Sequence, residues 1–140
     1  MYCTVEDILA RHSVEVVRKL TQVGGSPAQL DYERVRVAIQ DASAVIDQKL
    51  HTRYVVPISG SDVLRKIAID ISVYYLHRNR HDNEVPKEVK NVYIAAIEFL
   101  DAVRDGRESI PGAVERAANS RVIITNEPSR RFTDKIIKEM

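Results

Sequence analysis

Between Asp31 and Leu50 the apolar residues Val35, Ala38, Ile39, Ala42, Val45, Ile46 and Leu50 fall within one arc at roughly 100° per residue. Glu33, Arg36, Gln40 and Asp47 lie opposite. The pattern predicts an amphipathic helix about 30 Å long. Val37 and Ala44 sit together outside that arc, flanking Asp41 and Gln48. They are either a second, smaller contact surface or two isolated surface residues of the kind most proteins expose.

From Ser61 or Asp62 to about Arg80 the pattern changes character. Leu64, Ile67, Ala68, Ile69, Ile71, Val73, Tyr74, Tyr75 and Leu76 cover most of the circumference, leaving Lys66, Asp70 and His77 on a narrow polar strip. A helix apolar nearly all round is buried against several neighbours, so this one is expected at the centre of a bundle. Pro86 suits the first turn of a further helix. Val89, Val92, Tyr93, Ala96, Ile97, Phe99, Leu100 and Val103 are its expected buried face, and Gly106 its end.

The first twenty residues read as two short helices. Thr4 is placed to cap the first, with Glu6 and Asp7 in its opening turn, where the helix dipole favours negative charge. Val5, Ile8, Leu9 and His12 share a face. Ser13 is placed to cap the second, which presents Val16, Val17 and Leu20. "GGSP", Gly24 to Pro27, cannot continue a helix and is a loop.

After Gly106 the helical period weakens, and Pro111 and Gly112 interrupt it. "RVIIT", Arg121 to Thr125, is the segment richest in β-branched residues and the one expected strand. "SRRFTDKIIKEM" closes the chain as a basic and apolar segment. The expected fold is therefore all-α: a small bundle of three long and two short helices, with an extended C-terminal tail carrying one short strand. The bundle is expected over residues 1–106 and the tail over 107–140. Such a tail either orders against another protein or packs on its own bundle.

Composition narrows the function classes. At 140 residues, 44% hydrophobic and 29% charged, the chain fits one folded domain. Its formal net charge of +1 supplies no global field for DNA or an acidic membrane, so any polyanion site must be a local patch. The single cysteine, Cys3, excludes an intrachain disulfide framework. No apolar run approaches the roughly 20 residues of a bilayer span. Acidic Glu6, Asp7 and Glu15 stand where a signal peptide would be apolar, so the cytosol is the expected site of synthesis.

Candidate chemistry is sparse. His77 and His81 have a metal-compatible spacing, but Arg78 and Arg80 lie among them and no third ligand is near in sequence; no metal and no cofactor are expected. His12 reads as a core or interface residue and His51 as surface. Asp41, Asp47 and Asp70 read as solvated helix faces. "GGSP" lacks both the lysine of a phosphate loop and the glycine spacing of a dinucleotide fingerprint, and no serine sits in a strand-turn-helix elbow. The chain is not expected to be an enzyme. The basic clusters "HRNRH" and "SRR" leave one rival open, a small helical DNA-binding regulator.

Three stretches carry a resemblance: "MYCTVEDILAR", "DASAVIDQKLHTRYVVP" and "IAIDISVYYLH". In that order they resemble the Mu-like phage head-to-tail connector family, and "SRRFTDKIIK" is similar to that family's basic, aromatic ending. "VGGSPAQ" departs from the more acidic Asp-Gly-rich stretch expected there. The resemblance implies a virion structural protein of the phage neck, assembled in the host cytoplasm as a homo-oligomeric ring of about twelve copies. Its implied partners are the portal protein and the next neck or tail-terminator protein, with DNA passing through the ring without specific binding and no membrane involved. On that footing Arg130, Arg131, Phe132, Ile136 and Ile137 are the expected portal-docking residues, and Val37, Ala44, Arg53 and Tyr54 the candidate subunit contacts. Arg53 and Tyr54 carry a second reading as a structural corner, in which Tyr54 packs over the bundle end and Arg53 covers a helix carboxyl terminus or pairs with an acid.

Overall fold

The computed structural model describes residues 1–22, 30–80 and 84–116. The helices among them are α1 (Val5–Arg11), α2 (Val14–Thr21), α3 (Tyr32–Leu50), α4 (Asp62–Arg78) and α5 (Lys87–Arg104). The architecture is the expected all-α bundle of three long and two short helices. "GGSP", His81, the "RVIIT" strand and all five expected docking residues of the tail lie outside the described residues.

Local chemistry fixes the helix starts. The Thr4 hydroxyl accepts from the Asp7 N–H at 3.1 Å and the Asp7 carboxylate accepts from the Thr4 N–H at 2.9 Å, satisfying two donors at the head of α1. Ser13 and Ser61 cap α2 and α4, and the Asp31 carboxylate accepts from the Glu33 and Arg34 N–H groups. Pro86 stands at the N-cap of α5, one position before the first turn where its sequence context had placed it.

α4 is the centre, in contact with α1, α2, α3 and α5. Leu64, Ile67, Ala68, Ile69, Ile71, Val73, Tyr75 and Leu76 are all buried, as an all-round apolar helix requires. On α3, Val35, Ala38, Ile39, Ala42, Ile46 and Leu50 are buried and Val45 half-buried. Two expectations need correction. Val16 on α2 is exposed: this two-turn helix, in contact with α4, buries Val17 and Leu20 and leaves Val16 on its open side. Val92 on α5 is exposed as well: the fully buried residues of α5, Ala96, Leu100, Ala102 and Val103, all lie toward its C-terminal end.

The N-terminal segment is tied to the bundle ahead of α1. The Tyr2 N–H donates to the Ser43 hydroxyl at 3.2 Å, while the Tyr2 hydroxyl donates to the Asp47 carboxylate and accepts from the Ile58 N–H at 3.0 Å. Burial, and then the bond to Asp47, raise the Tyr2 phenol well above its ordinary range. Cys3 beside it is buried, and burial pushes its thiol up to about 11.

α5 ends as its glycine predicts. Gly106 takes φ of 86°, a left-handed conformation that suits glycine. Its N–H donates to the Val103 carbonyl and the Arg107 N–H to the Ala102 carbonyl, the paired bonds that close a helix carboxyl terminus. Packing continues past this point: Ile110 is 3% exposed and belongs to the core, and the chain stays on the bundle through Arg116.

Candidate functional site

The densest set of long-range polar contacts surrounds the corner where α3 ends. The backbone turns there because the Arg53 and Tyr54 N–H groups both donate to the Leu50 carbonyl, at 3.1 and 2.9 Å. The turn drives the Tyr54 ring into the core, 2% exposed, and its hydroxyl accepts from the buried Ile110 N–H at 3.2 Å. A buried phenol needs such a partner, and the Ile110 amide has no other among the described residues.

Arg53 holds the surrounding pieces together. Its guanidinium donates to the Val103 carbonyl at 2.7 Å and the Glu108 carbonyl at 2.6 Å. It also pairs with the Glu115 carboxylate at 3.6 Å and lies 5.0 Å from the centre of the Tyr54 ring. A planar fork of donors can satisfy several carbonyls at once, and a cation at the α5 carboxyl terminus complements that helix's dipole. This is the structural-corner geometry. In it the Tyr54 ring is enclosed by its own chain. The half-buried Arg53 is engaged on intrachain partners.

Two short stretches cross at this corner. Tyr54 and Glu115 form an antiparallel β-bridge, framed by the Val55 N–H donating to the Val114 carbonyl at 2.8 Å and the Arg116 N–H donating to the Arg53 carbonyl at 2.9 Å. The Arg116 guanidinium adds a bond to the His51 carbonyl at 3.0 Å. In this pattern Tyr54 and Glu115 share one face, and Val55 and Val114 the other. Val55 is 52% and Val114 67% exposed, so the bridge presents an apolar pair to solvent beside the anchored Arg116.

The other candidates are dispersed. Val37 is 43% exposed and lines a shallow groove of about 220 Å³ with Leu20, Asp31, Leu76 and Asn79, while Ala44 lies exposed one face-length along α3. Both stand open to a neighbour. His12 borders a second groove of about 190 Å³ over Val73, Val89 and Val92, with Asp70 and Glu88 at its rim. His51 is exposed, its Nδ1 2.8 Å from the Gln48 carbonyl. Asp47 serves Tyr2, Asp70 pairs with Lys66 at 2.7 Å, and Asp41 is exposed.

The "HRNRH" cluster is largely committed to the fold where it is described. His77 is half-buried, and burial followed by the nearby Arg80 and His12 charges lowers its affinity for a proton. Arg78 lies over the Tyr75 ring at 4.9 Å. Tyr75 in turn sits against Tyr93, which stacks on Tyr74 with ring centres 3.9 Å apart. Among the described residues no three His, Cys, Asp or Glu side chains are placed to hold a metal ion, and no helix is long and apolar enough to cross a membrane.

Sequence reasoning missed the receiving half of the corner. Ile110, Glu115 and Arg116 sit in a stretch with no period, and the one available signal was a lone isoleucine just beyond a glycine helix stop. Tyr2 was legible only as part of a family-like N-terminus, without its bond to Asp47.

The chain matches the family model described as "Bacteriophage Mu, Gp36" over residues 2–123. It is similar to "Gene product J" of Escherichia phage Mu, 29% identical over 120 residues that cover 85% of this chain and 82% of that protein. It is also similar to "Mu-like prophage FluMu protein gp36" of Haemophilus influenzae, 29% identical over 111 residues covering 79% and 75%. The match runs from Tyr2 through both sides of the corner.

Proposed function

The chain belongs to the Bacteriophage Mu, Gp36 family, and on that premise we propose that it is a virion structural protein, a head-to-tail connector whose subunits form a ring between the portal and the neck or tail. In this reading it works by docking and performs no catalysis. The observation that carries it is the anchoring of Arg116 to the His51 and Arg53 carbonyls. Arg116 is thereby fixed at one end of the bundle, and the sequence that follows it carries the basic and apolar set Arg130, Arg131, Phe132, Ile136 and Ile137. Aromatic and aliphatic groups serve as anchors in such a contact, and arginines pair with acidic groups of the partner. Val37 and Ala44 on α3 are the subunit contacts that remain open, and a head-to-tail ring needs two unlike sides.

The test is removal of residues 121–140. The truncated protein should keep the helical content and cooperative unfolding of the full chain and lose attachment to portal rings and incorporation into particles. Incorporation at the wild-type level would overturn the docking role.

A further inference from the structure

The bridge at the corner is an unfinished sheet. An isolated pair of strands is marginal in water, and an exposed edge is a template for another strand. Because Tyr54 and Glu115 form the pair without mutual backbone bonds, the Glu115 N–H and C=O point away from Tyr54. Neither has a partner among the described residues.

We propose that this edge accepts the chain's own Arg121–Thr125 segment as a third strand. Three observations converge on that occupant. "RVIIT" is the β-branched segment of the chain that its helices did not absorb. It begins five positions after Arg116, which leaves four residues of sequence between them, a number within the two to five usual for a hairpin loop. The face of the bridge beside the free edge already carries the exposed Val55 and Val114, which gain an apolar neighbour if a strand is added. Closing the hairpin on those four residues sets the register: Arg116 opposite Arg121, Glu115 opposite Val122 and Val114 opposite Ile123. Glu115 and Val122 exchange both backbone bonds, and Ile123 extends the Val55–Val114 row. That row then forms an apolar face at the end of the bundle, at the root of residues 126–140. The pairing does not depend on the connector reading.

The register makes a sharp test. Val114 and Ile123 would be a non-hydrogen-bonded pair, with Cα atoms about 4.5 Å apart, a separation a disulfide can span. In the full chain, with the buried Cys3 retained, the double variant Val114→Cys/Ile123→Cys should form an intramolecular disulfide under mild oxidation with oxidised glutathione, identified by peptide mapping. Val114→Cys/Ile124→Cys places the second thiol on the opposite face and should not. Equal cross-linking of both variants, or of neither, overturns the proposal. A disulfide-linked dimer also overturns it, since the strand would then come from a second copy. Should the cysteine variants not fold, amide exchange in the wild-type chain decides: Glu115 and Val122 should be protected at least tenfold over free-peptide rates, and free-peptide exchange at both overturns the pairing.

Discussion

α4 and the corner hold the molecule by opposite means. α4 is surrounded, and its eight buried apolar residues meet four other helices with little directional bonding beyond its own backbone. The corner contains few apolar side chains and is closed by the Arg53 and Arg116 guanidiniums donating to main-chain carbonyls, and the Tyr54 hydroxyl accepting from a main-chain N–H, 50 to 65 positions distant. Burial is additive and tolerant in direction, so it sets where the core lies. Directed bonds to single carbonyls set where one segment is fixed, and here they fix the root of the C-terminal segment.

The contrast is tested most strongly at Ile71, which is fully buried in α4. Ile71→Ala should cost about 2–5 kcal/mol of stability. Denaturant unfolding should show the loss globally, with corner and bundle amides losing protection together. A smaller and more local effect is expected at Tyr54. Tyr54→Phe keeps the ring and strands the buried Ile110 N–H, at a cost of about 1–3 kcal/mol. Hydrogen exchange should rise first in residues 107–116 while the α4 amides keep their protection. Uniform loss across both regions would mean that the two are one cooperative unit.

The smallest effect belongs to the N-terminal tie. The folded state raises the Tyr2 phenol above its unfolded value near 10, so the protonated form is the one favoured by folding. Its contribution is fully present below about pH 10 and is lost as pH rises from there toward the folded value. Tyr2→Phe should cost about 1 kcal/mol at neutral pH and flatten the alkaline decline in stability, measured by urea titration at a series of pH values. An unchanged alkaline slope would assign that decline to other groups, such as Tyr75, whose phenol burial also raises.

How much of this was legible follows the same divide. The periodicity of α3 located its buried face almost residue by residue, because burial on one side of a helix repeats every three to four positions, and α4 was legible as the centre because it is apolar nearly all round. Val16 and Val92 were misplaced, because periodicity identifies a face and not how far a neighbour covers it. Arg53 and Tyr54 were legible as a corner, since the run ends an amphipathic helix and meets a proline. Their acceptors were not. A carbonyl belongs to every residue, so nothing in the side chains of Val103 or Glu108 marks them as the carbonyls Arg53 seeks.

The position of Arg53's partners along the chain has a consequence for the order of events during synthesis. The helices α3 and α4 can pack as soon as their own residues exist, through contacts close in sequence. Arg53 must wait for Val103, Glu108 and Glu115, and the Arg53 and His51 carbonyls must wait for Arg116. Loops of this length close late, because the chain loses the entropy of the intervening residues before the contact is made. The corner therefore closes no earlier than the α3–α5 packing, which spans a similar length of chain, and the segment beyond Arg116 acquires its fixed base only with that closure.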